Sequence, residues 1–173
     1  MKLKHLVYLI VFALSAWACK DEKKKVVIDY AELEEQLIES HKANTTKEDE
    51  LIEAYLKKKE LTQMVKTGTG LRYWIYEQGN GAVPVPEDIV NIHYRISLLN
   101  DTLCYESGES PITMRVDHDD FPSGMHEGLK LMPAGSKALF ILPSRLAYGI
   151  SGDQNKVPRN ASLVCDIELL ENQ

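Results

Sequence analysis

The stretch Glu127–Leu170, EGLKLMPAGSKALFILPSRLAYGISGDQNKVPRNASLVCDIELL, decides the fold. It holds two apolar runs: Ser136–Leu142 (SKALFIL), closed by Pro143, and Ala161–Leu170 (ASLVCDIELL). Short runs of Val, Ile, Phe and Leu between breakers predict strands. The segment between them centres on Ala147-Tyr148-Gly149 and carries Gly152, Asn155 and Pro158, so it predicts a loop. Ahead of the first run, Met125–Met132 reads as a short helix that ends at Pro133-Ala134-Gly135.

Upstream, Leu71–Tyr76 alternates and is rich in aromatics, which predicts a strand. Gly79-Asn80-Gly81 is a turn, and Pro84 and Pro86 make an extended loop. Ile89–Leu99 predicts a strand, Asn100-Asp101 a turn, and Thr102–Glu106 its hairpin partner. Ile112–Val116 is a short strand and Asp117–Asp120 an acidic turn. Strands, one short helix, then strands again predict an α+β domain with an antiparallel sheet wrapped around the helix. Before it, Ile28–His41 and Lys47–Glu60 have the apolar spacing of two amphipathic helices. They part at Asn44-Thr45-Thr46, where Thr45 and Glu48 form a capping-box pattern. These helices read either as a spacer or as a means of homodimerisation through residues 28–66.

With 173 residues the chain holds one ordinary domain plus extensions. Apolar content of 44% and charged content of 27% are those of a soluble globular protein. A net charge of −6 without a basic stripe argues against nucleic-acid binding. Residues 1–18 have the form of a signal peptide: Lys2 and Lys4, an apolar core Leu6–Leu14, then small residues. Ala16-Trp17-Ala18-Cys19 resembles a bacterial lipobox, which implies lipidation of Cys19; the alternative is an ordinary secretory signal cleaved near Ala18. Residues 19–27 then form a charged tether, whose Lys20-Asp21-Glu22 resembles the export tag of surface lipoproteins in Bacteroidota. A lipid-anchored protein of the cell envelope, on the periplasm-facing outer membrane or at the cell surface, is the expectation. Each buried CH₂ of an acyl chain contributes about 0.8 kcal/mol to anchoring.

The ordered set of helix, Pro-Ala-Gly turn, strand, Pro143, Ala-Tyr-Gly loop and closing strand Asp166-Ile167-Glu168-Leu169-Leu170 resembles the FKBP-type peptidyl-prolyl cis-trans isomerases. The resemblance reaches back through Val90-Asn91-Ile92-His93-Tyr94 and covers residues 67–173 as the isomerase-like domain. The signal, the helical segment and Thr69-Gly70-Leu71-Arg72-Tyr73-Trp74-Ile75-Tyr76 are similar to the lipoprotein isomerases associated with gliding motility in Bacteroidota.

Rotation about a peptide bond meets a barrier of ~18–20 kcal/mol, because amide resonance is broken on the way. An X–Pro bond has two isomers of similar energy, so a catalyst need only lower that barrier. The twisted amide is less zwitterionic, so an apolar, water-poor pocket favours it over the planar ground state. No metal or cofactor is needed, only proline-containing polypeptide clients. The resemblance implies Tyr94, Tyr105, Glu106 and Tyr148 as catalytic residues, Tyr148 donating its hydroxyl to a bound carbonyl and Glu106 standing at the rim. It implies Ile112, Phe121, Pro122, Met125, Val157 and Cys165 as substrate-binding residues. Several depart from the family pattern. Met125 stands for a floor Trp, Ile112 and Cys165 for aromatics, and Glu106 for an Asp. Pro122 has no N–H where the family offers one to the substrate. An intact fold with a wider pocket, poor in donors, and weak catalysis is expected. The alternative is a catalytically weak or inactive binding module or chaperone in an envelope complex.

Other chemistry is poorly supported. His118, Asp119, Asp120 and His126 fit no standard metal spacing and read as a solvated acidic turn. His93 reads as a structural histidine, and Ser136 and Ser151 have no evident His–Asp partners. Cys104 and Cys165 fall on different strands and are compatible with a disulfide or with two free thiols.

Overall fold

The computed structural model describes residues 30–170. The signal segment, Cys19 and the tether lie outside the described residues. The chain divides into two compact units, Met1–Ser40 and His41–Gln173; everything from here on concerns the second, except where α1 is traced.

Helix α1 runs without interruption over Tyr30–Lys58. The expected break at residues 44–46 is absent. Thr46 satisfies its hydroxyl within the helix by donating to the Lys42 carbonyl at 3.0 Å, so its usual competition with helical bonding is settled inside the helix. Lys57 and Lys58 close the last turn, favourably for the helix dipole.

Seven strands follow: β1 (Val65–Lys66), β2 (Arg72–Glu77), β3 (Ile89–Leu98), β4 (Leu103–Glu106), β5 (Ile112–Arg115), β6 (Lys137–Leu142) and β7 (Leu163–Leu169). They form one sheet in the order β1-β2-β6-β7-β3-β4, with β5 on the remaining part of β3. Every pairing is antiparallel. The short helix α2 is Ser123–Leu129. The α+β expectation is met, with the strands within two residues of their sequence-derived bounds; β1 had no sequence signal.

The central strands are buried on both faces, which is why SKALFIL is apolar throughout rather than alternating. Ala138, Phe140 and Leu142 of β6, with Leu163, Cys165 and Ile167 of β7, join Met125 and Leu129 of α2 in the main core. Two glycines let α2 come this close. A Cβ on Gly128 would stand 2.4 Å from the Phe140 ring, and one on Gly124 2.7 Å from the Leu142 side chain.

Ile141 and Val164 point to the opposite face, where they meet the fully buried Ile52 of α1. Polar bonds flank this second, small core. Glu48 accepts from the Ser144 amide at 2.6 Å and the Ser162 hydroxyl at 2.7 Å. Arg72, 1% exposed, donates to Glu53 at 2.8 Å, Asp49 at 3.2 Å and the Gly70 carbonyl at 3.2 Å. The C-terminal part of α1 is thus an integral layer of the second unit.

Candidate functional site

Three elements and a loop converge on one side of the sheet. β3 carries Tyr94, β4 carries Tyr105, α2 carries Met125, and the segment between β6 and β7 carries Tyr148 and Val157. Met125, Val157 and Cys165 are buried, at 0%, 3% and 0% exposure. Tyr94, Tyr105, Ile112, Phe121 and Tyr148 are half-buried and pack against the same core. Aromatic rings with one edge in the core and one in solvent make an apolar surface open to a ligand. Phe121 meets Tyr94 edge to face, with centroids 6.0 Å apart and planes at 80°. Pro122 is buried at the head of α2, and its carbonyl receives the Met125 amide at 2.8 Å.

A bulge in β4 sets the wall. The β3–β4 register shifts between Ile96 and Ser97, so the consecutive residues Cys104 and Tyr105 both pack on the core. Glu106, the next residue, alternates away from the core: it is exposed and lies opposite Arg95. There it lines a charged depression of about 440 Å³ with Tyr94, His93, Lys137, Asp166 and Glu168.

Asp153 is the acid that reaches the ring of tyrosines. The Tyr105 hydroxyl donates to its carboxylate, which also accepts the Asn155 amide at 2.9 Å and the Val157 amide at 2.7 Å. Sequence reasoning missed this residue. Its signal was the Gly152-Asp153-Gln154-Asn155 run, in which an Asp folds back onto later amides. Lys156 covers the outer face of the Tyr105 ring at 5.0 Å.

Burial, then the charges of Asp153, Tyr105, Cys165 and Asp120, push the Tyr148 hydroxyl up to about 12. It stays protonated at neutral pH. Among the described residues none accepts its proton, so the O–H is free to donate to a ligand. Cys104 and Cys165 are both free and buried. Burial raises both thiols, so neither is a poised nucleophile.

Residues 81–170 match the family FKBP-type peptidyl-prolyl cis-trans isomerase, and the chain belongs to that family. It is similar to the probable FKBP-type peptidyl-prolyl cis-trans isomerase FkpA of Neisseria meningitidis serogroup B, with 32% identity over 157 residues, 88% of this chain and 57% of the relative. FkpA of Aeromonas hydrophila is 39% identical over 127 residues, 73% of this chain and 46% of that one. The chain thus spans about half the length of the curated relatives it matches. Among solved structures, FkpA from Escherichia coli superposes with a TM-score of 0.64 at 26% identity, covering 99% of this chain and 82% of that one. A peptidyl-prolyl cis-trans isomerase from Pseudomonas syringae gives 0.65 at 25% identity, covering 75% and 93%.

Proposed function

We propose that this chain catalyses cis–trans isomerisation of X–Pro bonds in polypeptide clients of the cell envelope. The observation that carries the reading is the half-buried group Tyr94, Tyr105, Phe121 and Tyr148 over buried Met125, Val157 and Cys165. A proline ring seated against it leaves water, and the twisted, less polar amide gains relative to the planar one. The protonated Tyr148 hydroxyl is placed to hold a client carbonyl while the bond turns. Tyr94 and Tyr105 form the walls, and Ile112, Phe121, Pro122 and Val157 complete them. Asp153 holds the Tyr105 hydroxyl, and Glu106 stands at the outer edge beside Tyr94. The test is the isomerisation rate of short X–Pro peptides with the segment Lys25–Gln173. Rates indistinguishable from buffer for a folded protein would sink the enzymatic reading.

A second reading, a binding module or chaperone, is favoured by one observation: Pro122 offers no N–H at the rim. It predicts binding of proline peptides without acceleration.

The anchoring part of the proposal rests on Cys19 and the signal-like segment before it. Among the described residues no helix is long and apolar enough to cross a membrane. The clients would then be secreted or surface proteins. Radiolabelled palmitate incorporated by the wild type and lost in Cys19→Ala supports this. The exposed Leu37 and Ile38 on α1, 51% and 61% accessible, support self-association through residues 28–66; sedimentation of Leu37→Glu/Ile38→Glu tests it.

A further inference from the structure

His126 follows the pocket-floor residue Met125 on α2 and is 6% exposed. Both of its ring nitrogens engage the backbone of the turn before the helix. Nδ1 receives the Asp117 amide at 3.0 Å, and Nε2 lies 3.1 Å from the Asp119 carbonyl. An amide N–H can only donate and a carbonyl can only accept, so the ring is neutral with its proton on Nε2. A second proton would go onto Nδ1, where it would face the Asp117 N–H donor to donor.

The turn so held leads straight into the pocket wall. The Asp119 carbonyl that meets His126 also accepts the Phe121 amide at 2.8 Å, and Phe121 is the ring that packs on Tyr94. Asp117 is left-handed, with φ of 59°, a conformation that Asp tolerates in tight turns. The Asp119 side chain fastens the other end by accepting the Arg115 amide at 2.7 Å.

We propose that His126 is a positioning residue for the prolyl pocket: its imidazole ties the turn at residues 117–120 to α2 and so holds the Phe121 ring against Tyr94. This rests on the isomerase reading of that pocket. Loss of the Asp117 bond frees the turn and releases the Phe121 ring from Tyr94.

The experiment uses the full chain and two readouts. Isomerase kcat and KM are measured for the wild type, His126→Ala, His126→Gln and His118→Gln, and the imidazole tautomers and Phe121 ring signals are followed by NMR. We expect kcat/KM to fall about tenfold in His126→Ala, the equivalent of about one buried hydrogen bond, with the Phe121 signals displaced. Gln carries both an acceptor and a donor, so His126→Gln restores most of the rate and the Phe121 signals. His118→Gln keeps the wild-type rate. In the wild type the His126 ring shows the Nε2–H tautomer. A His126→Ala variant that keeps the wild-type rate and Phe121 signals, or the opposite tautomer in the wild type, overturns the proposal. If His126→Ala does not fold, or the wild type is inactive, NMR of the wild type and His126→Gln decides: the Nε2–H tautomer with unmoved Phe121 signals in the Gln variant supports the positioning role, and displaced Phe121 signals overturn it. Inactivity with that result counts against the isomerase reading alone.

Discussion

The hydroxyl of Tyr105 donates to the carboxylate of Asp153, which joins strand β4 to the loop that carries Tyr148. The same carboxylate closes that loop on itself through the Asn155 and Val157 amides. One side chain thus fixes both the wall and the flap of the candidate pocket. Replacing Tyr105 by Phe removes the inter-element bond and keeps the ring. We expect kcat/KM to fall severalfold, with a measurable loss of stability; peptide kinetics and urea unfolding measure the two.

The acid behaviour of Asp153 follows from the same contacts. Burial alone would raise its carboxyl, but the Tyr105 hydroxyl and the two amides outweigh burial and hold it below the ordinary 3.8. A depressed carboxyl contributes stability that is fully present above the unfolded-state value and is lost as pH falls through the folded-state value. Asp153→Asn should therefore be less stable than the wild type at neutral pH. The two stabilities should converge as pH falls below 3.8. Parallel denaturation curves at pH 7 and pH 3 check the sign; a gap that stays constant contradicts it.

Tyr148→Phe isolates the free hydroxyl. Because no described residue accepts from it, its loss leaves packing intact and stability nearly unchanged. One hydrogen bond to the client carbonyl corresponds to a drop in kcat/KM of about tenfold. An unchanged rate would remove Tyr148 from the mechanism.

Pro122→Ile restores an N–H at the rim while filling a buried position. If a missing donor limits turnover, kcat/KM rises by up to about tenfold. If binding of proline peptides tightens without faster isomerisation, the binding-module reading gains.

Gly128→Ala tests the contact between α2 and β6. The added Cβ would meet the Phe140 ring at 2.4 Å. Overpacking of this kind costs about 1–3 kcal/mol, despite the better helix propensity of alanine. A Phe140→Leu background should recover part of the loss.

The strands of the C-terminal half were legible because their apolar runs end at real breakers, as SKALFIL does at Pro143. Most of the pocket residues followed from the ordered motifs around those strands. The bulge at Ile96/Ser97, which turns both Cys104 and Tyr105 onto the core, left no mark in composition. The break at Asn44-Thr45-Thr46 did not form, because these polar residues lie on an exposed stretch of helix where nothing opposes continuation. His126 looked like part of a solvated turn; only the fold shows that it is the turn's internal strut.

Arg72 and Ile52 carry a consequence for how such domains are inherited. The sheet that bears the pocket on one face owes its other face to α1, through Ile52 on Ile141 and Val164 and through Arg72 on Asp49 and Glu53. A fragment cut at Thr67, where the family resemblance begins, would uncover those side chains and strand a guanidinium that is 1% exposed in the intact chain. The pocket-bearing half is thus not a portable cassette. Any recombination that swaps it between proteins must carry the end of the preceding helix along, or replace it with an equivalent cover.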